Sequence, residues 1–442
     1  MKYIHLKAWF VKPIQRFCRG HLRYLMLKKN NDSIDDSSAE NSAEYCLDYI
    51  YPEKKQRIEE LVNDHPSYRL NKTLGYKMLD ESNVVTPVYV CKKNGLDNYY
   101  GGIMTKEEID EYGLAEDVVG HDSTAVFLGY LRPCWGHWIT NTISRLWFLF
   151  SEAYLAMDKK TPLLFVSHCG NIVDFPKPLK DLITLMGIDT SSITIVRSPQ
   201  KFKSIILPDE SFVEGEYYSD EYKNMIDRIV CNPSLDKLKV DKVYFSRRYA
   251  GKGRDFGEVS IERMFRAKGY KVFYPEYMSV HEQLSILSSC NVFATTEGST
   301  SHNALFLRDG AKLVVLSKFR NLNYHQFVIN DLKKLDVTMI DSHLTLFDSE
   351  YDGHTMWGPF YLIVNRNVCG FLGVREHYDS FSIKGFKSYA ENALMCKNGL
   401  DKDGFYQQLY IDEYSSFRKK RIVRLLYALL LKVGVVVKVS SK

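Results

Sequence analysis

The chain has 442 residues, 45% of them apolar and 26% charged, enough for two domains of ordinary size and a sizeable core, which excludes a disordered or fibrous class. Net charge is only +5, yet Met1–Asn31 and Arg418–Lys442 each hold eight Lys or Arg and no acid; basic ends on a neutral middle suit an anionic membrane surface and exclude a nucleic-acid groove across a domain. Nine cysteines, at 18, 46, 91, 134, 169, 231, 290, 369 and 396, form no Cys-x-x-Cys, which excludes a zinc framework and points to a reducing compartment.

In chain order, the first thirty residues mix Trp9, Phe10, Phe17 and Leu25 with evenly spaced bases and lack the apolar core of a secretory signal. They read as an interfacial anchor or a solvated arm. The acidic, Ser-rich stretch 31–44 reads as a linker. Between 45 and 122 only a strand at 83–90 and a turn at Asn94-Gly95 stand out. From 123 the pattern alternates. A strand (123–131), a long helix (135–157), a strand (162–168), a helix (178–188) and two further strands make a first unit, 45–230. A second unit, 231–345, runs strand, helix, strand, helix, strand, helix, strand. Such alternation predicts parallel sheets covered on both faces: an α/β chain with two Rossmann-like domains facing across a cleft, ligands binding beyond the carboxyl ends of the strands. The segment 346–442 is expected to pack back on both units. Its apolar end, 422–439, is broken by Arg424, Lys432 and Lys438 and falls short of a membrane span.

Chemistry-bearing residues cluster at predicted strand ends. In "TTEGSTSHN" (295–303), Gly298 permits a tight turn or close ligand approach, and Ser299, Thr300 or Ser301 can cap a following helix. The amides opening that helix make an anion site suited to a diphosphate; the plainer reading is an ordinary capped turn. "FSRRYAGKGRDFGE" (245–258) gathers Arg247, Arg248, Lys252 and Arg254 on the same rim, as phosphate ligands or as a solvated loop. Neither a P-loop nor a dinucleotide fingerprint is present. Ser279 and Glu282 have capping-box spacing; alternatively Glu282 or Gln283 lies near a ribose or base. His137, Asn141 and Arg145 recur at i, i+4, i+8, near one face of the predicted long helix, where His137 suits a general base on an acceptor hydroxyl or a part-buried core position.

The strand end "YFSRR" with Arg254 and Glu258, the segment "GYKVFYPEYMSVHEQLSILSSC" and the turn "TTEGSTSHNALF" resemble glycosyltransferase family 61, and "GHWITNTISRLW" resembles its upstream element. The resemblance covers about 130–320. Glu297 stands where the family often has His, Gly257 where it has Asn, and Asn141 where it commonly has an acid. It implies a GT-B-like fold and an inverting transfer from a UDP-sugar, in bacterial relatives to capsular or other surface polysaccharide. Donor-binding residues would be Arg247, Arg248, Arg254, Glu282, Gly298, Ser299, Thr300 and Asn303. Asn141 and Arg145 would meet the acceptor, and the base would be His137, Glu297 or Asp122, with His137 favoured. No cofactor or metal is expected, because arginines and a helix start can carry the leaving diphosphate's charge. The expected partners are a nucleotide-sugar donor, a glycan or lipid-linked glycan acceptor and an anionic membrane surface, not nucleic acid. The expected place is cytoplasmic, peripheral on the inner face of the membrane. The departures also motivate a rival, a non-catalytic scaffold with a degenerate transferase fold.

Overall fold

A computed structural model describes residues 42–93, 96–113, 118–132, 134–167, 172, 174–236, 238, 240–250, 255–318, 321–343 and 360–375. The basic ends, the Asn94-Gly95 turn and Arg254 lie outside these residues. The strands are β1 (Glu44–Tyr49), β2 (Tyr76–Asp80), β3 (Val84–Lys93), β4 (Leu96–Met104), β5 (Val119–Leu131), β6 (Leu163–Ser167), β7 (Ile193–Val196) and β8 (Gln200–Pro208). They continue with β9 (Phe212–Val213), β10 (Tyr217–Tyr218), β11 (Lys242–Phe245), β12 (Asp255–Phe256), β13 (Lys271–Phe273), β14 (Val292–Thr296), β15 (Lys312–Ser317), β16 (Asp336–Asp341) and β17 (Phe360–Tyr361).

One sheet, in the order β1-β16-β15-β14-β11-β13, is parallel throughout. Its strands read as short apolar runs because both faces are covered. Val243, Phe245, Phe293 and Val315 face one core, while Tyr244, Ala294, Val314 and Leu316 face another. The helix Glu258–Ala267 packs Ile261 and Phe265 on the second face, and the helix Val280–Leu287 packs Leu284 and Leu287 on the first. The chain therefore leaves β11 on one side and returns to β14 on the other. That makes a topological switch between β11 and β14, where α/β sheets open a crevice beyond their carboxyl ends.

The other sheet has the order β4-β3-β8-β5-β6-β7, with β2 also paired to β8. Strands β8, β5, β6 and β7 are mutually parallel; β2, β3 and β4 add antiparallel pairs. Val126, Leu128 and Phe165 share one continuous core with Val243, Phe293 and Leu313, so the two sheets are joined through common apolar packing. The mixed α/β architecture with a parallel, Rossmann-like sheet agrees with the sequence reading. The partition differs in one respect. β1, expected in the first unit, runs parallel to β16 at the edge of the second sheet, and the helix Pro52–Asp64 that follows packs Lys54 onto Glu297 at the end of β14. Of the segment after 345, β17 pairs with β12 and the helix Arg366–Phe371 sets Val368 and Cys369 in the second core.

The long helix expected at 135–157 is broken into turns. Trp135–His137 is helical, Trp138–Thr142 widens into a π turn closed by Ile143 N–H to the Trp138 carbonyl (3.3 Å), and Leu146–Phe150 is 3₁₀. The cause is a staple. The Ser144 carbonyl takes the Ser211 amide (3.1 Å) and hydroxyl, and the Ser144 hydroxyl takes the Phe212 amide (3.0 Å). Groups committed across to 211–212 cannot close the next helical turn. Of the expected i, i+4, i+8 face, His137 and Asn141 stay in contact (2.9 Å) and Arg145 turns to β8 instead. No helix among the described residues is long and apolar enough to cross a membrane.

Candidate active site

At the β11/β14 switch lies a crevice of about 380 Å³. The second sheet supplies Ser246 and Arg247 after β11, the run from Pro275 to Gln283, and Ser299, Thr300 and Asn303 after β14. Trp135, Trp138 and the start of the helix Lys177–Leu185 face them from the first. The walls meet closely at Gly136. A Cβ there would stand 2.8 Å from Ser299 Oγ and 3.0 Å from His302 Nδ1, so only glycine lets the two turns touch. Trp135 Nε1 donates to Asn303 Oδ1 (2.8 Å) across the same junction.

Arg247 and Lys177 both line this crevice, Lys177 already paired with Asp181 (2.6 Å). Arg247 Nε donates to Asp255 Oδ2 (3.2 Å) and its Nη1 to Thr300 Oγ1 (2.8 Å), so one side chain ties both strand ends. Nη2 has no partner among the described residues. The Asp255 side chain is buried and also receives Lys318 Nζ (2.8 Å). Burial alone would raise the Asp255 carboxyl, but Lys318 and Arg247 hold it below the usual range. Burial pushes the Lys318 ammonium down. Beneath them Glu258 accepts from the Arg247 amide (3.0 Å) and the Tyr244 hydroxyl (2.8 Å). Burial and the Asp255 charge push Glu258 up to about 7.

Arg248 does not join this group. Its Nη1 lies 3.9 Å from Glu262 and its guanidinium sits 5.2 Å from the Tyr249 ring centroid. The turn after β14 also differs from expectation. Gly298 adopts φ +118°, and the following helix, Ser301–Phe306, is a six-residue 3₁₀ piece whose Thr300 cap makes no side-chain bond to it. The Gly298 and Ser301 amides are spent inside the turn, on Ser301 Oγ (3.2 Å) and the Gly298 carbonyl (2.8 Å). Two of the amides around the expected anion site are thus committed within the turn, while the Ser299 and Thr300 side chains line the crevice beside Arg247.

Three other expected residues have structural partners. Glu297 is buried in an ion pair with Lys54 (2.9 Å), and both bond the Ser317 hydroxyl; burial raises its carboxyl even so. Arg145 donates to the Pro208 carbonyl (2.8 Å) and to Glu210 (2.9 Å), clamping the end of β8. Glu282 accepts from the Ser279 amide (2.7 Å) and hydroxyl (2.8 Å), completing the capping box. Gln283 lines the crevice and donates to the Pro275 carbonyl (3.0 Å). Asp122 is exposed on the early half of β5, nine residues before Leu131, or about 30 Å of strand from the carboxyl end where the crevice lies.

His137 lies between the two crevice tryptophans in the chain, is half-buried, and belongs to a polar cluster beside the wall they form. Its Nδ1 lies 2.9 Å from Asn141 Oδ1, and His325 Nε2 reaches the same oxygen at 3.4 Å. His325 Nδ1 is 2.6 Å from Glu214, in the turn between β9 and β10. His302 stacks on His325 with ring centroids 5.2 Å apart and takes Asn323 Nδ2 on its Nε2 (3.0 Å). Burial pushes His137 below the usual histidine range, against the bond from Asn141, and pushes His302 well below it. Burial alone would raise Glu214, but the His325 bond and charge bring it down.

The sequence reading did not single out Asp255, Lys318, Glu214, His302 or His325. Asp255 sits in the quoted basic loop and Lys318 ends a predicted strand, so strand-end position was an available signal for both. Glu214 and His325 lie in segments without a readable pattern.

No curated protein matches the chain in sequence. The family model described as Glycosyltransferase 61 matches residues 135–314, which run from Trp135 in one crevice wall through Arg247 and Thr300 to Val314 in β15. The matched residues build both walls of the crevice, so the part of the chain that forms the candidate site is similar to glycosyltransferase family 61, which supports a glycosyltransferase.

Proposed function

We propose that the chain is an inverting transferase that moves a sugar from a UDP-sugar to a hydroxyl of a growing surface glycan, with its two sheets acting as GT-B-like halves. The observation that carries this reading is Arg247, lining the switch-point crevice and bonded to Thr300 at the neighbouring strand end. A guanidinium fixed at Nε and Nη1 loses little freedom when it takes a phosphate oxygen on its remaining edge. The Ser299 and Thr300 hydroxyls add neutral donors, so charge developing on the leaving diphosphate meets pre-placed partners.

Inversion needs one displacement. The acceptor oxygen bonds to the anomeric carbon as the bond to the diphosphate breaks, and the acceptor proton passes to a base. His137 is that base in this reading. It is half-buried, is kept neutral by burial, and has an Nε2 with no partner among the described residues. A capsular acceptor is proposed with it from the family resemblance, and a peripheral membrane position from the basic ends of the sequence.

The test is a thermal-shift screen against nucleotide sugars, since a ligand that binds only the folded protein raises its apparent stability. A UDP-sugar is expected to raise Tm in the wild type and not in Arg247→Ala. An equal rise in both, or none with any nucleotide, would reject this crevice as the donor site.

A further inference from the structure

We infer that Glu214 is a positioning residue for the transfer, acting through His325 and Asn141 to fix which nitrogen of His137 is bare. The inference rests on the reading of His137 as the acceptor base.

The inference follows from counting protons along the chain Glu214–His325–Asn141–His137. One end of the Asn141 carboxamide meets two imidazole nitrogens, His137 Nδ1 at 2.9 Å and His325 Nε2 at 3.4 Å. An amide end is either a carbonyl, which only accepts, or an NH₂, which only donates. Both facing nitrogens are therefore donors together or acceptors together.

With the carbonyl inward, His137 carries its proton on Nδ1 and Nε2 is bare. His325 then donates from Nε2 to Asn141 and from Nδ1 to Glu214 at 2.6 Å, so it is an imidazolium. With the NH₂ inward, His325 is neutral, His137 is bare at Nδ1, and its Nε2 carries a proton and cannot act as a base. The charge on His325 and the tautomer of His137 are thus one variable.

We take the first state; the Thr140 hydroxyl also faces this end of Asn141 (3.1 Å), its one proton shared with the Gly136 carbonyl (2.8 Å). The Glu214 carboxylate directly contacts His325, and a charged pair at this separation outweighs a neutral hydrogen bond. His302, stacked on His325, is held neutral by burial and adds no opposing charge. Its Nε2 faces the Asn323 carboxamide, not Asn141. Arg132, at the end of β5, is the opposing cation near His137. Glu214 is held in place by its turn, where Gly215 at φ +68° lies against Tyr324; a Cβ there would meet Tyr324 Cβ at 3.0 Å. The sequence departs from the common family pattern at this same point, because Asn141 replaces an acid. An acid there could only accept, so the amide makes the state of His137 conditional on Glu214.

The test uses the full-length chain with ¹⁵N-labelled histidine and long-range ¹H–¹⁵N spectra at pH 7, assigned with His137→Gln and His325→Gln. The wild type should show His325 protonated on both nitrogens and His137 bare at Nε2. Glu214→Gln should move His137 to the Nε2–H form, lower kcat about ten-fold or more, and leave KM for the donor unchanged. Adding Asn141→Asp to Glu214→Gln should restore the bare Nε2, since a carboxylate accepts on either oxygen. A wild-type His137 protonated on Nε2, or a tautomer that ignores Glu214→Gln, overturns the inference whatever the activity. Full activity in His137→Gln overturns the base reading alone, because the spectra are read without turnover.

Discussion

Arg247 and Arg248 are neighbours in the chain with opposite fates. Consecutive residues leaving a strand project to opposite sides, so Arg247 enters the crevice and Arg248 turns to Glu262. Arg247→Ala is expected to weaken UDP binding by about 2–4 kcal/mol, the scale for a desolvated charged contact, and Arg248→Ala by much less. Titration calorimetry with UDP separates the two. The basic strand end was legible in the sequence, because arginines after an apolar run mark a rim. Which arginine serves was not, since that depends on where β14 and the Asp255 loop lie. Glu258 gives a pH prediction. Its carboxyl titrates near 7 in the fold against 4.5 when unperturbed, so the folded state binds the extra proton between those values. Its contribution is full below about pH 4.5 and is lost as pH rises through 7, about 1.4 kcal/mol per pH unit and about 3 kcal/mol in all. Urea unfolding from pH 5 to 8 should show wild type losing stability relative to Glu258→Gln, which keeps an acceptor for Tyr244 and Arg247. Parallel pH profiles would remove Glu258 from this role.

Elements were readable where local signals decide and unreadable where distant partners do. The capping box at Ser279 and Glu282 formed as its spacing predicts, since both partners lie within one turn. The helix at 135–157 failed because Ser144 bonds 211–212, a contact that no window along the chain contains. The helix Asp220–Val230 carried its signals in plain form, with Ser219 as cap, two acids in the first turn and Tyr222, Met225, Ile226 and Ile229 on one face. At the junction of the two turns, Gly136→Ala is expected to cost about 1–3 kcal/mol of stability, since the buried His302 ring cannot retreat from a new Cβ. It should also weaken UDP binding by parting Ser299 from the opposite wall. Urea unfolding and UDP titration of the variant measure both, and an unchanged affinity would show that the crevice tolerates a gap there.

The whole molecule is bound by a core common to both sheets and by the return of its first described strand to the second sheet. The pair Lys54–Glu297 pins that return. Lys54→Ala leaves a buried carboxylate without its cation and is expected to cost about 3–5 kcal/mol, whereas Lys54→Met with Glu297→Leu should cost far less. Chemical denaturation of the three proteins decides it; equal losses would mean that packing, not charge, holds the helix. The α/β class and most strands of both sheets were legible from alternation. The placement of β1 was not, because six residues of mixed burial carry no mark of which sheet they join.

That placement has a consequence for how the protein is made. The Tyr51 amide meets Asp341, 290 positions later. A ribosome releases the first strand long before its neighbour exists, so the sheet's edge waits, open, through most of translation. Such late closure slows maturation and invites wrong pairings with other nascent chains.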